Sequence, residues 1–521
     1  MKLKLFYTSL LIAGTMGTAF SQQVSDEVML QRIRDEGLNK SQVMDIAFHL
    51  TDISGPRLAG SPGLKRAQDW AVNTLKTWGM VNAKRESWGK FGKGWEVQKN
   101  YAAMTVPYYH AIIAIPKAWT PSTNGLIKGD VVFLKADTIT DLEKYKGKLK
   151  GKIVITQANA PAEQNFTRPE ALRDADSTLL AMTLPQAAGG GRGGRGGAGG
   201  RGRGGAAGVS PAILTKFEVE EGAGLVLSQA RGTDGTVFTT NGASYADTAH
   251  AVSPTLETSS EDYQRILRLV KAGIPVTMEA DIKTEFFTKD LDGYDVVGEI
   301  PGTDPKLKAQ LVMIGGHLDS WHGATGGTDN AAGSAVMLET MRILSRIGFK
   351  PRRTIRIALW SSEEQGEFGS KGYVANHFAD PKDMVLKPEH ALLSAYYNLD
   401  NGTGKIRGVY AQSNTAIMPI FQEWLNPVKD LGAGTVTPRN TGSTDHVAFD
   451  AVGLPGFEFI QDPIDYNART HHSNQDTYDK MIPADLMQAA TVTAWLVYKT
   501  SQRDEMMPRK ELPAAGAPNR N

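Results

Sequence analysis

Histidines and carboxylates in the second half of the chain fall where apolar runs stop. His317 and Asp319 follow Leu311-Val-Met-Ile-Gly-Gly, Glu363 and Glu364 follow Ile355-Arg-Ile-Ala-Leu-Trp-Ser-Ser, and Asp400 ends Ala395-Tyr-Tyr-Asn-Leu. Asp329 lies in Gly326-Gly-Thr-Asp-Asn-Ala-Ala-Gly333, and a further imidazole, His471 or His472, sits in a loop. A two-metal hydrolytic site needs a carboxylate bridging ions roughly 3.5–4 Å apart, His and carboxylate ligands on each ion, and a free base beside the attacking water. These residues supply every part. Any one of them alone is an ordinary strand-end or loop residue; the set carries the reading. Adjacent Glu363 and Glu364 say most, because their like charges repel at close range and a solvated acidic turn is a poor account of them directly after the apolar run from Ile355 to Trp360. Cysteine is absent, so any metal must be bound through His and carboxylates.

These residues need a scaffold that holds strand ends together. From residue 296 onward the pattern alternates between strand and helix: strands at 296–300, 309–315, 354–361, 391–399 and 405–410, with helices at 331–347 and 370–377. Such alternation predicts an α/β fold with a mostly parallel, mixed sheet sandwiched by helices, whose ligands gather at the carboxyl ends of the strands. The first part of the chain reads as helices at 26–36, 41–50 and 63–78, with the rigid turn segment Gly55-Pro-Arg-Leu-Ala-Gly-Ser-Pro-Gly63 between them. Residues 125–245 differ. Short β runs at 129–134, 152–156 and 224–228 are separated by polar and glycine-rich connections, which predicts a small inserted β-rich domain.

In combination and in order, Gly316-His-Leu-Asp319, Gly327-Thr-Asp-Asn-Ala-Ala-Gly333, Ser361-Ser-Glu-Glu-Gln-Gly366, Asn398-Leu-Asp400, Ser443-Thr-Asp-His446 and His472-Ser-Asn-Gln-Asp-Thr477 resemble the co-catalytic zinc exopeptidases. That group includes bacterial leucine-type aminopeptidases, plasma glutamate carboxypeptidase and carboxypeptidase Q. The resemblance extends over the mature chain, since the Gly55-Pro-Arg-Leu segment and an inserted protease-associated domain also look like the family's. It implies two zinc ions per chain, with His317 and Asp400 on one, Glu364 and His472 on the other, and Asp329 as the bridge. Glu363 is then the general base, and Asp319 orients the His317 imidazole. His472 is preferred to His471 because His-Ser-x-x-Asp-Thr fits the motif. The resemblance further implies a cis peptide bond after Asp329 and hydrolysis of terminal bonds in short peptides. Asp445 and His446 match a segment near the family's substrate pocket, and Tyr466, Trp321, His322 and Arg469 stand close enough in sequence to ligands to line it.

Rival chemistries leave few traces. No G-x-S-x-G elbow and no H-E-x-x-H motif occurs. Two same-fold alternatives are a glutaminyl-cyclase-type zinc transferase and a non-catalytic receptor-like binding module; retention of every ligand and the base argues against the second. The N-terminus reads as a signal peptide over residues 1–21, with Met-Lys-Leu-Lys, an apolar stretch from Leu5 to Phe20, and small residues Ala19 and Ser21 at a cleavage point. This predicts export to the periplasm or outside, with no membrane association after signal removal. The catalytic domain is expected to be discontinuous, 22–124 and 246–505, followed by a flexible tail at 506–521. With 57 Lys+Arg against 56 Asp+Glu, overall charge predicts no nucleic-acid partner. The tract 189–205 has four arginines but no interleaved aromatics, so it reads as a disordered insertion and not as an RNA-binding segment. Its glycine spacing opens no helix of a βαβ unit, which discounts a dinucleotide fingerprint. No motif speaks to oligomeric state. Replacing 189–205 by a short Gly-Ser linker is expected to leave the melting temperature nearly unchanged, because closure entropy depends weakly on loop length; a large fall would show that the tract docks.

Overall fold

A computed structural model describes residues 25–156, 172–184, 209–239 and 241–517. The signal segment and the Gly/Arg tract lie outside the described residues. The architecture is α/β, with two mixed eight-stranded sheets. The first runs in the order Val81–Lys90, Asp292–Ile300, Thr354–Trp360, Leu311–His317, Leu393–Asn398, Gly456–Gln461, Ile406–Tyr410 and Thr435–Thr437. Its four central strands, from Thr354–Trp360 to Gly456–Gln461, are all mutually parallel, and antiparallel pairs flank them. Leu311–His317, Leu393–Asn398 and Gly456–Gln461 are buried at every position. Strands covered on both faces read as continuous apolar runs, which is how they are written in the sequence.

Helices close both faces. Pro62–Thr77 starts where Ser61 Oγ accepts from Leu64 N and Pro62 occupies the first turn, where its missing N–H costs nothing. Ala332–Arg346 is buried from Ala332 to Leu344, and it packs in one core with Pro483–Gln502 and the strands beneath. An opposite, smaller core gathers Trp360, Tyr396, Phe449 and Phe378. The helix expected at 331–347 and the strands expected at 354–361, 391–399 and 405–410 all form within a residue or two of those bounds. The reading did not reach the long Pro483–Gln502 helix, whose apolar residues run all round and so lack an amphipathic period.

The second sheet has the order His110–Ala111, Gly94–Val106, Thr277–Phe287, Ile127–Phe133, Ile153–Ile155, Leu225–Gln229, Thr255–Thr258 and Ala114–Pro116. It therefore draws on strands on both sides of 125–245, with Gly94–Val106 and Thr277–Phe287 paired along most of their length. Its core lies on the helix Ser260–Lys271, through Tyr263, Ile266 and Leu267. The two sheets meet at an aromatic cluster that includes Phe91, Trp95, Trp119 and Trp321. The tail makes specific contacts. Met507 is buried, Arg509 donates to His390 O and Leu393 O at 2.9 and 2.7 Å, and Gly516 N donates to Pro381 O at 2.9 Å. Among the described residues, no helix is long and apolar enough to cross a membrane.

Candidate metal centre

The parallel register sets the site. His317 lies opposite Trp360 on one neighbour, and Gly315 lies opposite Asn398 on the other, so all three strands end at the same edge. His317, Glu363, Glu364 and Asp400 emerge there within three or four residues of one another's strand ends. His317 Nε2 is 3.1 Å from Asp400 Oδ1 and 3.2 Å from Asp329 Oδ1. The other oxygen of Asp329 faces a second group: Oδ2 is 3.4 Å from His472 Nε2, which is itself 2.8 Å from Glu364 Oε2. His471 Nε2 is 3.8 Å from Asp329 Oδ2. The two oxygens of one carboxylate are thus divided between two imidazole–carboxylate pairs, and His472 stands nearer than His471 to both carboxylates of its pair.

Local backbone explains how Asp329 reaches both sides. Gly326 adopts a left-handed conformation (φ 59°), and Asp329 and Asn330 depart from helical angles before the helix begins. The Asp329–Asn330 peptide bond is cis. Asp476 accepts from Thr328 N, Thr328 Oγ1 and Asp329 N at 2.6, 2.8 and 3.1 Å. On the other flank Asn330 Nδ2 donates to Leu399 O at 2.8 Å, and Asn330 Oδ1 accepts from Gly333 N at 2.9 Å. A Cβ at Gly333 would sit 2.2 Å from Leu399 O, so only glycine lets the helix start this close to the Asp400 strand.

Behind the ligands lies a buried polar frame. Asp319 Oδ1 accepts from Glu363 N at 3.2 Å, while His317 Nδ1 lies 3.0 Å from the backbone oxygen of Asp319 and 3.7 Å from its carboxylate. Asp319 therefore addresses the imidazole through its carbonyl and the Glu363 backbone through its side chain. Glu458, on the adjacent strand, accepts from Asp400 N, Asn398 Nδ2 and Asn401 Nδ2 at 3.0, 2.7 and 3.1 Å. Burial, then Asp400, pushes its carboxyl up to about 8. Arg57 is fully buried. Its guanidinium donates to Leu318 O, Leu50 O, Thr325 O and Gly326 O at 2.6–2.9 Å, which ties the segment between His317 and Asp329 to the N-terminal turn. Burial lowers its pKa to about 10, against the pull of Asp476, Asp319, Asp329 and Glu364.

The electrostatics are lopsided. Burial raises the carboxyls of Glu363, Glu364 and Asp445 well above the usual carboxylate range, and neighbouring carboxylates push the same way. Burial opposes protonation of His317, but Asp400, Asp319 and Asp329 outweigh it. Asp329 Oδ2 and Glu364 Oε1 are buried without a hydrogen-bond donor among the described residues, and Glu364 Oε2 faces the imidazole of His472. Anionic oxygens this dense and this dry are stable together only with cations among them. Imidazole nitrogens and carboxylate oxygens, with no thiolate, form a donor set that zinc accepts. His317, Asp329 and Asp400 form one candidate ligand group, and Asp329, His471 and His472 another.

The remaining expected residues are placed as follows. Asp445 and His446 have no exposed surface; His446 Nε2 is 2.6 Å from Gln412 Nε2 and 3.1 Å from Thr441 O, so this histidine lies beneath the site floor. Tyr466 is 5% exposed, and its ring lies tilted by 45° against that of His471, with centroids 4.7 Å apart. Trp321 lies 6.3 Å from the His472 ring, and His322 Nε2 contacts Pro116 O at 2.7 Å. Arg469 faces Asp465 at 3.6 Å. The sequence reading assigned no role to Arg57, Asp476, Glu458 or Asn330. Arg57 and Asp476 were in view inside quoted motifs, whereas nothing local marks Glu458.

A parallel-centred sheet with a bridged His–carboxylate donor set at its carboxyl edge defines a metallopeptidase of the co-catalytic zinc type. Residues 295–497, which carry every candidate ligand, match the model of Peptidase family M28. Carboxypeptidase Q from Bos taurus is 26% identical over 468 residues, 88% of this chain and 85% of that one. The crystal structure of a Peptidase M28 precursor from Shewanella amazonensis SB2B is similar in fold, with TM-score 0.65, 24% identity, and coverage of 94% of this chain and 100% of that one. BSAP, a zinc aminopeptidase from Bacillus subtilis, gives TM-score 0.54 at 18% identity, covering 89% and 95%.

Arg57→Met removes the buried guanidinium and leaves four carbonyls short of donors. Unfolding free energy is expected to fall by about 3–5 kcal/mol, the scale of breaking a buried charged network, as read by urea denaturation; a change under about 1 kcal/mol would show that the carbonyls find other partners.

Proposed function

We propose that the chain is an exported two-zinc exopeptidase that removes a terminal residue from short peptides. One observation carries the reading: the two oxygens of Asp329 face two separate imidazole–carboxylate pairs. In this reading His317 and Asp400 would hold one zinc, Glu364 and His472 would hold the other, and Asp329 would serve both. When bound, the ions supply Lewis acidity at the scissile carbonyl and make water acidic enough to lose a proton near neutral pH. Glu363 is left free of ligand duty, beside the ligand Glu364. It takes the proton of the attacking water and passes it to the leaving amine, so that one carboxyl serves as base and then as acid. Asp319 steadies both partners, since its carboxylate holds the Glu363 N–H and its carbonyl meets the His317 ring. The frame of Asp476, Asn330 and Glu458 keeps Asp329 and Asp400 in place as the proton moves.

Export rests on the N-terminal reading of residues 1–21. The second sheet is taken to be the inserted protease-associated unit, extended beyond 125–245 by strands from either side of it. The family match and the likeness to carboxypeptidase Q, over 88% of this chain, support peptides as substrates.

Chelation is expected to abolish hydrolysis, and zinc or cobalt to restore it; full activity in a preparation shown metal-free by elemental analysis would sink the mechanism. Glu363→Gln is expected to retain both metals and lose about 10²–10⁴-fold in rate, whereas Glu364→Gln loses part of its metal. The reverse behaviour of the two variants would exchange their roles.

A further inference from the structure

Residues 172–184 belong by sequence to the insertion, between the strand Ile153–Ile155 and the helix Pro211–Glu220, yet they lie against the far edge of the first sheet. Leu179 and Met182, on the helix Asp176–Met182, pack with Ile460 and Tyr410. Thr437 Oγ1, on the edge strand Thr435–Thr437, donates to Met182 O at 2.5 Å, and Arg439 donates to Ala181 O and Leu184 O.

The start of this segment grips the loop that leads to His472. Ile464 N donates to Leu172 O at 2.8 Å, and the two residues pair as an antiparallel bridge. Asp462, fully buried, is the hub. Its Oδ1 accepts from Asp174 N at 3.0 Å and from Arg407 Nη1 at 2.8 Å, and its Oδ2 accepts from Arg173 Nη1 at 2.9 Å. The same nitrogen of Arg173 donates to Asp485 Oδ2 at 2.6 Å, in the first turn of the helix Pro483–Gln502. Among the described residues the buried Asp485 meets no other cation. Without Arg173, Asp462 would keep one guanidinium and Asp485 none, and a buried carboxylate stripped of its cation is strongly destabilising.

From this hub hydrogen bonds run to the metal centre. Gln461, the residue before Asp462, accepts from Asn401 N at 3.0 Å and donates to Gly402 O and Gly404 O, just past Asp400. Thr470 Oγ1 accepts from Thr328 Oγ1 at 2.8 Å, one residue before Asp329. Between these points the backbone is strained: Ile464 has φ 39° and His472 φ 60°. A β-branched residue avoids the left-handed region, and such conformations persist where the surroundings over-determine them. Leu172 pairs with Ile464 at the first of these positions, and Thr239 N donates to His472 O at 2.7 Å at the second.

We infer that Arg173 is a positioning residue of the metal centre: by pairing with Asp462 and Asp485 it fixes the strained loop 462–472, and so the place of His472 beside Glu364 and Asp329. The inference rests on the two-zinc reading. The insertion then does more than flank the catalytic sheet, because one of its segments crosses to the far edge and holds a ligand loop in register.

The test is a zinc titration of metal-free wild type, Arg173→Gln and Arg173→Lys in chelator-buffered zinc, with melting temperature and kcat/KM on one short peptide measured alongside. Wild type is expected to bind two zinc ions. Arg173→Gln is expected to bind one of them about tenfold more weakly, the scale of losing a partner that orients a ligand, to leave the other unchanged, and to recover kcat/KM as free zinc is raised. Arg173→Lys, which keeps the charge without the planar fork, is expected to regain part of the lost affinity. Should Arg173→Gln fail to fold, the same titration is made on Arg173→Gln with Asp485→Asn, which removes the carboxylate left without a cation. A lower melting temperature with both zinc affinities at the wild-type value marks a merely structural role and overturns the assignment, leaving the two-zinc reading standing. Wild type that binds fewer than two zinc ions overturns both.

Discussion

Carboxylates crowded at one buried sheet edge repel each other, and much of the structure can be understood as the means of holding them there. Asp319, Asp329, Glu363, Glu364 and Asp400 converge with Asp476 and Glu458 behind them, while the described cations at hand are imidazoles and the single buried guanidinium of Arg57. Water cannot screen charges in such a place, and each one must be answered locally. The answer comes in layers. Backbone N–H groups and the amides of Asn398 and Asn401 address Glu458, Thr328 and the Asp329 N–H address Asp476, and the paired imidazoles address Asp329 and Asp400. Oxygens left without such an answer, those of Glu364 and Asp329 among them, are what make this edge a candidate metal centre.

The same demand explains the rigidity around Asp329. A bridging carboxylate must point its two oxygens at different neighbours, so its backbone cannot be left to the regular geometry of the helix it precedes. Asp476 on one flank and Asn330 with Gly333 on the other fix that departure through hydrogen bonds whose partners come from residues 399 and 476, far away in sequence. Arg57 supplies the third constraint. By gathering carbonyls from Leu50, Leu318, Thr325 and Gly326, it turns the long connection after His317 into a fixed wall.

The second sheet stands in a different relation to the chemistry. Its core is separate, yet the aromatic cluster around Trp119 and Trp321 and the ladder from Val237 to Thr239 join it to the ligand loop.

The sequence by itself determined the central parallel strands, because residues buried on both faces must be apolar throughout, and it marked His317, Glu363, Glu364 and Asp400 as candidates, because each comes within a few residues of the end of such a run. The long helix Pro483–Gln502 and the strands Gly94–Val106 and Thr277–Phe287 were not legible, the helix for want of an amphipathic period and the strands because their partners lie far apart along the chain. Tertiary structure alone decided which oxygen of Asp329 faces which imidazole, that His446 lies beneath the floor, and that Asp319 meets His317 through its carbonyl. It alone brought Arg57 and Glu458 to the site. The physical reason is the same for all of them: a buried or interfacial charge is defined by what surrounds it, and those surroundings come from segments that local pattern cannot bring together.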